Sequence, residues 1–237
     1  MQEQASADFR RTQVTFAKLS NEHFTPNQSI NDALNEMIGG FPEPSRSRMR
    51  RKILHDIEAL HRHQTDDADA AARHTFREFI VGWQLFQRGF NLEYDHEIGD
   101  QTPDWCDEPK KLAVEVFTCE RGGTSDVVKR LVSGVSDKVG KYGRTIAAND
   151  LHFVVGVHGD FYSGLDDIDA EDAAANGRLF GAGPDLSGVI FFAETTVIPV
   201  PKADGTRGRK QLYRFRYFPN PGATRPIDLT DACSKCS

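Results

Sequence analysis

The stretch TPDWCDEPKKLAVEVFT, residues 102 to 118, decides the fold. Glu108-Pro109-Lys110-Lys111 is turn material between two apolar runs, and a tight turn with Pro109 and Lys110 at its centre suits proline's fixed φ. Such a turn sets Glu108 against Lys111 and makes Thr102 to Cys106 and Leu112 to Thr118 the arms of a hairpin. The same register places Asp104 opposite Glu115, and the alternation of side chains along a strand puts both on one face. Trp105, Val114 and Val116 fall on the other face and pack. Directly opposed side chains sit about 4.5–5.5 Å apart at Cβ, where like charges repel. Two carboxylates so placed call for a cation or a shared proton. A hard divalent ion, Mg²⁺ or Mn²⁺, suits a pair of oxygen donors.

Outward from the hairpin the pattern alternates between helix and strand. Upstream, Thr65 opens a helix with Asp66 and Asp67 in its first turn, and Gly89 closes it after about Arg88. Phe76, Phe79, Ile80, Trp83 and Phe86 form one stripe; Val81 and Leu85 form a second, nearly opposite, with Glu78 on it. A helix apolar on two sides is buried between layers, and a carboxylate there needs a reason. Phe90 to Glu97 is a candidate strand. Downstream come a helix from about Ser125 to Tyr142 and strands at Leu151 to Val157, Ser187 to Glu194 and Leu212 to Phe218. Gly159 to Gly183 is a long acidic connection, part helix and part loop. The expected fold is therefore α/β, a mixed sheet flanked by helices, over residues 65 to 225. Residues 1 to 64 form a helical N-terminal extension, in which Gly39-Gly40 ends one helix and Ser45 caps the next. Residues 226 to 237 form a C-terminal tail.

An inward Glu on a helix, PD at the head of one strand, E-x-x on the next strand and a helix after it together resemble the PD-(D/E)XK nuclease superfamily. The matching residues are Glu78, Pro103-Asp104 and Glu115-Val116-Phe117, and the resemblance covers about residues 70 to 157. TPDW, VEVFT and the later Asn220-Pro221 are similar to uncharacterised bacterial members. The resemblance implies a restriction-endonuclease-like core. It implies a divalent ion on Asp104 and Glu115, with support from Glu78, and hydrolysis of a DNA phosphodiester. It also implies a lysine that orients water and steadies developing charge. Here that position is Phe117, which can do neither. The following helix has an inward stripe of Val127, Leu131, Val135 and Val139. Lys138 lies on it with Tyr142 beside it, Lys141 lies near its edge, and Lys129 points away. Lys138 is the candidate replacement; the plainer reading is a snorkelling side chain.

Composition narrows the classes. Hydrophobic residues at 38% exclude disorder over the whole chain. No stretch approaches the ~18 apolar residues of a membrane span. The start, MQEQASADFRR, lacks the apolar core of a secretory signal, so the cytoplasm is the expected compartment. Four cysteines are too few for a disulfide scaffold; Cys233-x-x-Cys236 is half a zinc site at best, and a frayed end with free thiols is the default. Net charge is -6, against a coat of base for nucleic acid, yet Arg46, Arg48, Arg50, Arg51 and Lys52 put five cations on one helix. That row is either a solvated face or a footprint for a DNA or RNA backbone. No phosphate-cradling glycine loop, G-x-S-x-G elbow or H-E-x-x-H occurs. Three functions remain: a metal-dependent DNA nuclease, acting as a homodimer if it cuts both strands; the same fold without chemistry, binding nucleic acid or protein; and a hydrolase of small phosphate esters.

Overall fold

The computed structural model describes residues 27–63, 65–119, 127–159, 167–201 and 207–234. The fold is α/β, with a mixed six-stranded sheet flanked by helices. Helices α1 (Asn27–Gly40), α2 (Ser45–His63) and α3 (Asp66–Phe86) come first. Strands β1 (Glu93–Tyr94), β2 (Trp105–Asp107) and β3 (Leu112–Thr118) follow, then α4 (Val127–Asn149), β4 (His152–His158) and α5 (Asp167–Ala175). The chain ends with β5 (Gly188–Pro201), β6 (Arg207–Pro219) and a short α6 (Thr230–Cys233). It divides into two compact units. One runs to Ile80 and includes Thr196–Gln211; the other holds Val81–Thr195 and the chain from Leu212.

In the first unit, apolar spacing builds the packing. Leu34, Met37, Ile38 and Phe41 are buried, as are Met49, Ile53, Ile57 and Leu60, one side of α2. Asp56, also buried, accepts a hydrogen bond from Thr75 Oγ1 and ties α2 to α3. Thr65 Oγ1 accepts the Ala68 N–H and so caps α3, as its sequence predicts.

In the second unit the strand order is β1-β2-β3-β4-β5-β6. β1, β2 and β3 are antiparallel neighbours; β3, β4 and β5 are parallel, joined by crossovers that carry α4 and α5. One sheet face meets α4: Leu131, Val135, Val139, Tyr142 and Ile146 pack with Ala113, Phe153, Val155 and Val157. On the other face, Gly82 of α3 lies so close to Trp105 that an added Cβ would fall 2.1 Å from the indole. Val81, Leu85, Val114 and Val116 are buried.

Several boundaries differ from the expected ones. The strand expected over 90 to 97 shrinks to Glu93–Tyr94, because Asp95 takes a left-handed φ of 49° and turns the chain. The first hairpin arm begins at Trp105, so Asp104 lies just outside the ladder. α4 runs on past Tyr142 to Asn149, held by buried Thr145 and Ile146, and Asp150 at φ 54° ends it. The chain end is docked rather than frayed as far as Ser234: Cys233 is buried, and Gln84 Nε2 donates to Ala232 O at 2.6 Å.

Phe117 leans on α4 at Gly134, where an added Cβ would fall 2.3 Å from the ring. Gly140, on the same helix, faces open space. Gly134→Ala should therefore destabilise the protein by about 1–3 kcal/mol through overpacking. Gly140→Ala should stabilise it by about 0.4–1 kcal/mol. Urea midpoints of the two variants against the parent check both signs.

Candidate functional site

The hairpin closes as the turn chemistry dictates. Lys111 N donates to Glu108 O at 3.0 Å, and the register pairs Trp105 with Val114, Cys106 with Ala113 and Asp107 with Leu112. Buried Asp107 locks this end, its two oxygens accepting the N–H groups of Lys110 at 3.0 Å and Asn91 at 2.7 Å.

Asp104 meets β3 differently from a simple cross-strand pair. Its Oδ2 accepts the backbone N–H of Val116 at 2.6 Å, and its carbonyl accepts the Asp95 N–H at 3.0 Å. One carboxylate oxygen is thus fastened to the residue after Glu115, and an ionised acceptor makes that a strong bond. The expected repulsion with Glu115 is eased by this anchoring.

Glu115 is buried in the middle of β3. Its Oε1 receives Lys138 Nζ at 2.7 Å, with Lys141 Nζ at 3.9 Å. Its Oε2 is buried and has no hydrogen-bond partner among the described residues. Helical spacing brings Lys138, Lys141 and Tyr142 to one face of α4. Lys141 Nζ donates to Tyr142 OH at 2.9 Å, and Tyr142 OH donates to Thr102 O at 3.1 Å. Burial first, then the charge of Glu115 and hydrogen bonding to it, then the charges of Asp104 and Asp95, push the ionisation of this phenol far upward.

The structure thus brings Asp104, Glu115 and Lys138 together in one unit. Glu78 belongs to the other unit, where it is buried with its Oε1 3.2 Å from His74 Nε2. The five cations of α2 also lie there. Arg46 pairs with Glu43 at 3.6 Å and Lys52 with Asp56 at 3.7 Å; Arg48 and Arg50 are half-buried and Arg51 is exposed. Glu43, just before α2, and Asp56 within it thus offset part of this positive row. Lys141 stands near the edge of the α4 stripe, as its spacing implies; Asp95 is the residue that the sequence does not announce, because it arrives through a left-handed turn that leaves no periodic signal.

Cys106 and Cys233 are free thiols and, like Cys119, buried; Cys236 lies outside the described residues. No group of three or more His, Cys, Asp or Glu side chains among the described residues is placed to hold a metal by itself. No helix among them is long and apolar enough to cross a membrane. Comparison with protein-family models, with curated proteins and with solved structures finds no match to this chain.

Two outcomes follow from burial. Lys138→Met leaves Glu115 charged without its closest partner and should cost about 1–3 kcal/mol. Adding Glu115→Gln should recover part of that loss, read from urea unfolding of the single and double variants. Burial also pushes the thiols of Cys106 and Cys233 up to about 12 from an ordinary 9.0. The folded state therefore holds these protons more tightly than the unfolded chain. Their contribution is intact below about pH 9 and is lost as pH rises toward 12. A urea midpoint followed from pH 8 to 11 should fall, and fall less steeply in Cys233→Ala.

Proposed function

We propose that this chain is a divalent-metal-dependent nuclease that hydrolyses phosphodiester bonds in DNA, built on a restriction-endonuclease-like core. The observation that carries the reading is the group formed by Asp104, Glu115 and Lys138. One carboxylate is fastened to the strand bearing the other, a lysine from the crossover helix sits on the second, and the buried Glu115 Oε2 accepts no hydrogen bond within 3.5 Å among the described residues.

The donor set fits a hard cation. Both candidate ligands are carboxylates, and leaving a buried, ionised oxygen unsatisfied costs free energy. Mg²⁺ needs only one or two protein carboxylates, the rest of its shell being water and substrate oxygen. Asp104 and Glu115 would hold Mg²⁺ or Mn²⁺. The chemistry such an ion supplies when bound is polarisation of a phosphoryl oxygen and acidification of water.

The chain's own residues supply the rest. The Val116 N–H fixes Asp104 without a flexible side chain between them. Lys138 holds Glu115 in one rotamer and adds positive charge where a phosphoryl group would gain negative charge. Phe117, at the position the resemblance assigns to lysine, fills space on α4, so the cation comes from the helix instead of the strand. The row Arg46, Arg48, Arg50, Arg51 and Lys52 offers contacts to a DNA or RNA backbone, and a homodimer would present two sites.

A second reading has its own support. At 2.7 Å, Lys138 already neutralises Glu115, as it would in a nuclease fold that binds nucleic acid or a protein without cutting. Cleavage of plasmid and linear duplex in Mg²⁺ and Mn²⁺ separates the two. For the nuclease, Asp104→Asn and Glu115→Gln should each lower the rate about 10²-fold or more, the scale seen when one group that stabilises developing charge is removed. Mn²⁺ should also raise the melting temperature of the parent and not of those variants. No cleavage together with no Mn²⁺ stabilisation establishes the binding module.

A further inference from the structure

The two lysines beside Glu115 are not equivalent. Lys138 has 25% of its side chain exposed and its Nζ is 2.7 Å from Oε1 of a carboxylate that is 5% exposed. Drawing it away would strip a buried charge of its nearest partner. Lys141 is 54% exposed, and at 3.9 Å from the same oxygen its Nζ is beyond hydrogen-bond reach. Its short contact is with the Tyr142 phenol oxygen, at 2.9 Å, with the ring centroid at 4.5 Å.

That contact is a weak hold. The phenol donates its proton to Thr102 O, so it offers the ammonium an uncharged lone pair. The bond to Lys141 is assisted by the charge of the ammonium alone, whereas a phosphate oxygen would bring a full opposite charge to the same donor. A phosphate oxygen arriving at this face would therefore outcompete the phenol for Lys141, and would not outcompete Glu115 for Lys138.

We infer that Lys141 is the residue of this site that contacts the phosphate backbone of the substrate, released to it from Tyr142, while Lys138 stays with Glu115 as its counter-ion. Tyr142 is the positioning residue of the arrangement. Its one hydroxyl joins the Lys141 ammonium to the carbonyl of Thr102, two residues before Asp104. The phosphate contact and the acidic pair are thereby set relative to each other by a single rigid ring. From the nuclease reading this inference takes only a substrate that carries phosphodiester groups.

The test is fluorescence anisotropy of a labelled 20-base-pair DNA duplex in EDTA, over a series of KCl concentrations, with Mn²⁺-dependent cleavage of the same duplex measured beside it. Lys141→Met should weaken binding about tenfold at low salt and reduce the slope of log affinity against log salt by about one, the loss of one phosphate contact. Its melting temperature should match the parent's. Lys141→Arg should keep the slope, and Lys138→Met should lower the melting temperature while keeping it. An unchanged slope and affinity in Lys141→Met overturns the inference, as does a parent protein that fails to bind the duplex. A slope lost in Lys141→Met without any cleavage by the parent upholds the phosphate contact and rejects the nuclease. Cleavage by the parent with the slope unchanged in Lys141→Met does the reverse.

Discussion

Glu115 carries its charge into the middle of β3, between β2 on one side and parallel β4 on the other, beneath α4. An ionised carboxylate in such a place has to be compensated or it would not remain ionised. Compensation arrives from one direction, the helix above, as Lys138 and then Lys141. Asp104 is excluded from offering anything but more negative charge, and it is kept near by the Val116 N–H. The hairpin turn, the locking of that turn by Asp107 and the length of α4 all follow from holding these groups in one place.

Much of this is written locally in the chain. Pro109 and Lys110 at a turn centre set a register, and that register, kept in the pairing of Trp105 with Val114, brings Asp104 level with Glu115. The apolar stripe on α4 likewise points Lys138 inward. What local pattern cannot carry is the path of the chain between elements. Asp95 sits in a left-handed turn inside a run that alternates like a strand, and the turn brings its backbone to Asp104. The bond from Asp104 to Val116 is equally invisible to periodicity, since it depends on Asp104 lying outside the ladder by one residue. The docking of Cys233 was hidden for another reason: a short polar tail gives no sign of the helix flank it covers.

Two ammonium groups stand against the carboxylates of Glu115, Asp104 and Asp95, with a phenol among them, so much of the site's negative charge is offset locally. This offset explains why an overall charge of -6 does not by itself argue against a polyanionic ligand. Local cations, not the net figure, set the potential that an anion would meet at this face.

The seat of Phe117 on Gly134 has a consequence for how this site can vary over evolution. The ring occupies the volume that any side chain at 134 would need. Placing lysine at 117 would empty that seat, and enlarging 134 would evict the ring; each change is harmful alone and tolerable with the other. Positions 117 and 134 should therefore covary among descendants of this chain, with small residues at 134 marking lineages whose cation stands on the helix.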